Sequence, residues 1–259
     1  MGESLYIMCR SLIVRMKNYD ALQAWSGQDY VVTKNITIHQ PTVGEIIDFG
    51  ERRYFRLIST ITATPSEYKA MLFDMGIDWE NLTNYDMFMA FRSSLTPENS
   101  SILFGDLDVG AMETFVNDAN EVALISKDGV VLDSYAYHNI EEYLLFAHNI
   151  KKKVDVAGNA FTKKMLIQLN RDDIEQQKNK PFESRLLPLA STLVNSPGFK
   201  YNSRQIRDIG IIEFMDSVYR LQIIRQADAI LKGMCSGMVD TSKISPSSYD
   251  CFKDIHRGV

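Results

Sequence analysis

The sequence predicts a mainly α-helical chain with a small β component, an α+β fold whose C-terminal part is helical. Three observations predict it. Apolar residues recur at three- and four-residue spacing over most of the chain, most regularly from Ile211 to Met234, the spacing that lays one apolar stripe along a helix. Alternating runs are short and confined to residues 30–39 and 114–132, which leaves room for only small sheets. Hydrophobic residues make up 45% and charged residues 24% of the 259, enough to bury a core and too apolar for wholesale disorder.

The elements follow in order. Tyr30 to His39 reads as a strand, with Val32, Ile36 and Ile38 set against Thr33, Asn35 and Thr37, and Pro41 ends it. From Thr42 the period becomes helical: Val43, Ile46 and Ile47, then Tyr54, Leu57, Ile58 and Ile61, with Gly50 marking a break between two short helices. Thr64-Pro65-Ser66-Glu67 is a helix start, in which Thr64 caps, Pro65 fits the first turn and Glu67 closes a capping box. The helix it opens is expected to bury Tyr68, Met71, Leu72 and Met75 and to end at Gly76. Another runs near Tyr85 to Phe91, presenting Phe88 and Phe91. A loop at Phe104 to Asp108 leads to three short strands, Thr114–Val116, Val122–Ile125 and Val130–Leu132, the last two joined at Asp128-Gly129. Helix returns from His138 to His148 on Ile140, Tyr143, Leu144 and Ala147. Beyond it come Phe161 to Lys178, with a solvated polar run after Arg171, and Phe182 to Val194, kinked at Pro188 or beginning there. Ser203 to Cys235 is either one long, partner-facing helix or broken near Gly210.

Charge is unevenly placed. Residues 1–150 hold 10 Lys/Arg against 21 Asp/Glu, a balance of −11, and residues 151–259 hold 18 against 12, a balance of +6. With Lys151-Lys152-Lys153 and Ala157-Gly158-Asn159 as boundary or hinge, the chain divides into an N-terminal extension over 1–29, an acidic α+β domain over 30–150 and a basic helical domain over 151–259. The positive charge is expected to face the acidic half or an acidic protein partner, because the basic half lacks the interleaved aromatics and signatures of a nucleic-acid binder. No membrane role is expected either. No apolar run nears the roughly 18–20 residues that span a bilayer, and Arg10 and Arg15 interrupt the apolar N-terminus, which reads as a short docking segment or amphipathic helix and not as a signal peptide. Cys9, Cys235 and Cys251 form no CxxC pair, which suits a reducing compartment.

A constellation able to do chemistry is missing from the sequence, so no catalytic residue, metal or cofactor is expected. His39, His138, His148 and His256 include no HExxH, and His138 and His148 stand ten apart. Gly105 and Gly110 lack the lysine of a phosphate loop. Asp106 and Asp108 are loop formers, since Asn117 stands where an EF-hand would close with glutamate. No GxSxG elbow occurs. Cys235 lies at a helix C-terminus, the end of the dipole that disfavours a thiolate. The methionines Met75, Met215 and Met234 sit at core-like spacing.

Several stretches carry a family resemblance: Asn35 to Ile46, Tyr54-Phe55 with Ser59 to Ser66, Gly76-Ile77-Asp78-Trp79, Ser101 to Asp108, Leu187-Pro188-Leu189 to Val194-Asn195, Phe199-Lys200-Tyr201 and Gly237-Met238-Val239-Asp240. The chain from about Lys17 onward resembles proteins of phages infecting Gram-positive bacteria that are regarded as tail assembly chaperones or related tail proteins. It departs from them before about Met16, which looks like an addition, and at Ile211-Ile212-Glu213-Phe214, which keep the rhythm but not the identity. The resemblance implies a non-enzymatic protein of the host cytoplasm that binds the tape-measure or tail-tube protein and can self-associate. The alternative is a structural component of the tail, neck or baseplate in the virion. A tape-measure partner, a long helix with an exposed apolar stripe, would seat by helix-in-groove contacts. The stripe Ile211, Met215, Val218, Leu221 and Ile224 is then the candidate binding face, its other reading being domain core.

Overall fold

Residues 19–116, 120–152, 154–178, 180–237 and 244–255 are described by a computed structural model, and elements are numbered among them. Asp20 caps a short helix, α1 (Ala21–Trp25), by accepting from the backbone of Leu22 and Gln23. What reads as one strand is a hairpin, β1 (Tyr30–Thr33) and β2 (Ile36–Ile38), turning at Lys34-Asn35. Cross-strand partners share a face: Tyr30 and Ile38 are buried, Val31 and Thr37 exposed. The alternation therefore runs through the turn, and a hairpin looks like a strand in sequence.

Thr42 and Glu45 form a capping box that opens α2 (Val43–Phe49). Gly50, at φ +101°, separates it from α3 (Glu51–Ile61), as the glycine's conformational freedom predicts. The Thr64–Glu67 box is also present, but it opens a 3₁₀ turn (Pro65–Tyr68) before α4 (Lys69–Asp74). That entry corrects the expected burial. A 3₁₀ turn winds at three residues per turn instead of 3.6, and the phase change brings Lys69, Ala70 and Leu72 inward while Met71 and Met75 face solvent. Gly76, at φ +75°, does end the helix, and Ile77 N–H donates back to Leu72 O.

Next come α5 (Asn84–Phe91) and α6 (Pro97–Phe104), the latter without a clear periodic signal in the sequence. The three-stranded antiparallel sheet β3 (Glu113–Val116), β4 (Val122–Ile125), β5 (Val131–Leu132) is ordered as written. Asp133 caps α7 (Ser134–Ala147), one turn earlier than the apolar period indicates. The rest is helical: α8 (Ala160–Lys178), α9 (Leu186–Val194), with Pro188 in its first turn, and α10 (Ile211–Cys235). A 3₁₀ turn (Gln205–Asp208) and Gly210 precede α10, so the stretch from Ser203 is broken near Gly210 and the helix after it is long, about 38 Å at 1.5 Å per residue.

Two apolar clusters hold these elements. The larger runs from Ala24 to Val218, joining Ile38, Ile46, Tyr54, Tyr137 and Tyr143 to Leu186, Leu193, Ile209, Ile211 and Phe214. The smaller gathers Ala63, Ala70, Leu72, Trp79, Met87 and Ile167. Both draw residues from either side of 151–159, and Ala24 and Tyr19, from the expected extension, pack with the larger. The seam to α10 is backbone: Val43 N–H donates to Ile209 O, Ile211 N–H to Pro41 O, and a Cβ on Gly210 would lie 2.5 Å from Gln40 Oε1. Cys9, Asn117, Lys153, Met238-Val239-Asp240, His256 and the N-terminal segment up to residue 18 lie outside the described residues.

Candidate functional site

The five residues of the candidate stripe are not left together on one open face. Ile211 and Val218 are buried in the larger cluster, Met215 and Leu221 pack against it, and only Ile224, at 48% exposure, faces outward. Four of the five thus lie in or against the core over the first three turns of α10, the other reading of the stripe. The physical reason is the seam at Gly210, which presses the start of α10 against α2.

An uncovered apolar face lies instead on α8. Asn159 caps it, its Oδ1 accepting from Thr162 N–H at 2.9 Å. One side of α8 is anchored on the 3₁₀ turn, α4 and the segment after it. Ile167 is buried there, Asn170 accepts from Ala70 N–H and donates to Glu67 O, and Arg171 pairs with Asp74. Lys163 reaches Asp78 at 2.5 Å and Glu80 at 2.8 Å and lies over the Trp79 ring. Its hydrogen bonds hold both carboxyls below their usual range, and they raise its own pKa. At 100° per residue, Phe161, Met165 and Leu169 fall on the opposite side. They are 73%, 50% and 56% exposed. The helix is thus doubly amphipathic, with one face bound and one open.

A third feature is a cleft of about 1250 Å³ bordered by α5, α7 and β4. Glu141 is buried at its wall and accepts from Asn84 Nδ2 at 2.7 Å, and burial raises its pKa. His138 stands 4.0 Å from Glu141 and 3.4 Å from Glu142. Apolar Met89, Leu145 and Phe146 share the wall. These groups can hold a polar side chain, but no nucleophile–base pair is built among them.

Among the described residues no group of three or more His, Cys, Asp or Glu is placed to hold a metal ion. Nor, among them, is any helix long and apolar enough to cross a membrane. Cys235 and Cys251 are free thiols.

Residues 177–256, the stretch that holds α9 and α10, match the family model of the YomV second domain, a phage-derived family. This part of the chain is similar to that domain. No curated protein and no solved structure matches the chain.

Proposed function

We propose that this protein is a non-enzymatic phage morphogenesis protein, a tail assembly chaperone that binds the tape-measure or tail-tube protein in the host cytoplasm. The observation that carries the reading is the open face of α8. Three large apolar side chains one turn apart stay in water while the opposite face of the same helix is anchored from Lys163 to Arg171. A surface of that form suits an apolar stripe on a partner helix and releases it reversibly. The likeness of residues 177–256 to a phage-derived domain and the family resemblance of the sequence support the setting.

Mass spectrometry of purified particles beside infected-cell lysate tests it. A chaperone is abundant in lysate and absent from particles. Stoichiometric presence in particles would contradict the proposal and favour a structural component of the tail, neck or baseplate.

A further inference from the structure

The acidic half carries few cations, yet three of them, Arg52, Arg53 and Arg56, lie together at the start of α3. Arg185 joins them from the segment before α9. Three of the four guanidinium groups are held on rings: Arg52 over Phe182 at 5.9 Å, Arg53 over Phe49 at 4.3 Å, Arg185 over Phe55 at 5.3 Å. Ring contact fixes a guanidinium while leaving N–H edges free, and Arg presents five such donors. Only Arg53 has a carboxylate partner among the described residues, Glu98 at 3.8 Å, and it also donates to the Glu98 carbonyl. Glu51 is turned away, its oxygens accepting from Ser184 Oγ and from the backbone of Arg185 and Leu186. Arg52 and Arg56 make no ion pair among the described residues. Between them and Phe182 lies a shallow hollow of about 590 Å³.

We propose that this arginine face docks a carboxylate-rich helical segment of a partner protein. Charge sets the partner: the face is a positive island on a half whose balance is −11, so an acidic segment is attracted here and repelled around it. Spacing sets the form, because Arg52 and Arg56 are one turn apart, with Cβ atoms about 6 Å from each other. Carboxylates three or four residues apart on a partner helix match that distance and can accept in the bidentate manner that guanidinium favours. Single-stranded nucleic acid fits less well. The rings that would stack bases, Phe49, Phe55 and Phe182, are each already faced by a guanidinium.

Fluorescence anisotropy with the full chain tests the proposal. The probes are a labelled helical peptide with glutamates three and four residues apart, the same peptide with glutamines, and an oligothymidylate of equal charge. The glutamate peptide binds in preference to both others and weakens with salt. Arg52→Ala with Arg56→Ala weakens it about ten-fold or more at unchanged melting temperature. If the double variant melts earlier, Arg56→Ala alone decides, since Arg56 is exposed and forms no ion pair among the described residues. Unchanged binding by the well-folded variant, no binding of the glutamate peptide, or equal binding of the oligothymidylate would overturn the proposal.

Discussion

At the end of α7, His148 is buried under α3, where Nδ1–H donates to Leu144 O and Nε2 accepts from the Tyr54 hydroxyl, both at 2.8 Å. The two bonds fix one neutral tautomer, and burial lowers its pKa from 6.5 to about 4. Between those values the unfolded chain binds the extra proton and the folded chain does not. Stability therefore falls as pH drops through that window, by roughly 3 kcal/mol for a group shifted that far. Glu141 acts in the opposite sense: its raised pKa adds stability below 4.5 that is lost as pH rises through its folded value. Thermal melting checks the balance. His148→Gln should melt earlier at neutral pH yet lose less than wild type between pH 6.5 and about 4; equal slopes would remove His148 as the acid-sensitive group. Val218, buried in the larger cluster, gives a second case at this scale. Val218→Asp buries an unpaired charge and should unfold the C-terminal helices by circular dichroism.

Among the elements, the described residues of 150–159 form no helix or strand but are held in place. Asp155 pairs with buried Lys69 at 2.5 Å, its N–H donates to Ser66 Oγ, and its carbonyl accepts from Trp79 Nε1. Asp155→Ala leaves a buried ammonium without its partner, a change worth about 3–5 kcal/mol when such a pair is broken. It should lower the melting temperature and speed proteolysis at 151–159; unchanged cleavage there would show that the pair does not hold the segment. Local signals in the sequence survive into these elements. The Thr64–Glu67 box, Gly50 and Gly76 act through neighbours, so their chemistry is legible residue by residue. The hairpin was illegible because pairing preserves the alternation of a strand. Site residues are harder still. Ile211 and Ile224 have the same spacing, but contact with Pro41 and Thr42, far away in sequence, buries one and leaves the other out. On α8, Phe161, Met165 and Leu169 interleave with Leu166 and Ile167, and either set could face inward. Partners on the other half, Glu67, Asp74 and Asp78, make the choice.

Over the whole molecule, the uneven charge is answered in part within the chain. Lys152, Lys163, Arg171 and Arg207 of the basic half pair with Glu67, Asp78, Asp74 and Asp48 of the acidic half. Exposed pairs of this kind stabilise little, so they set the register of the halves more than they stabilise it. Apolar burial in two shared clusters supplies the larger part. With the α10 stripe largely engaged internally, the open face of α8 is the apolar surface proposed to take the stripe of a partner helix. Co-expression of the chain with the proposed partner, a tape-measure protein, tests that claim most directly, comparing wild type with Met165→Asp. A solvent-facing substitution there should leave melting within about 0.5 kcal/mol of wild type and abolish co-purification of the tape measure. Full co-purification by a well-folded Met165→Asp variant would contradict the account.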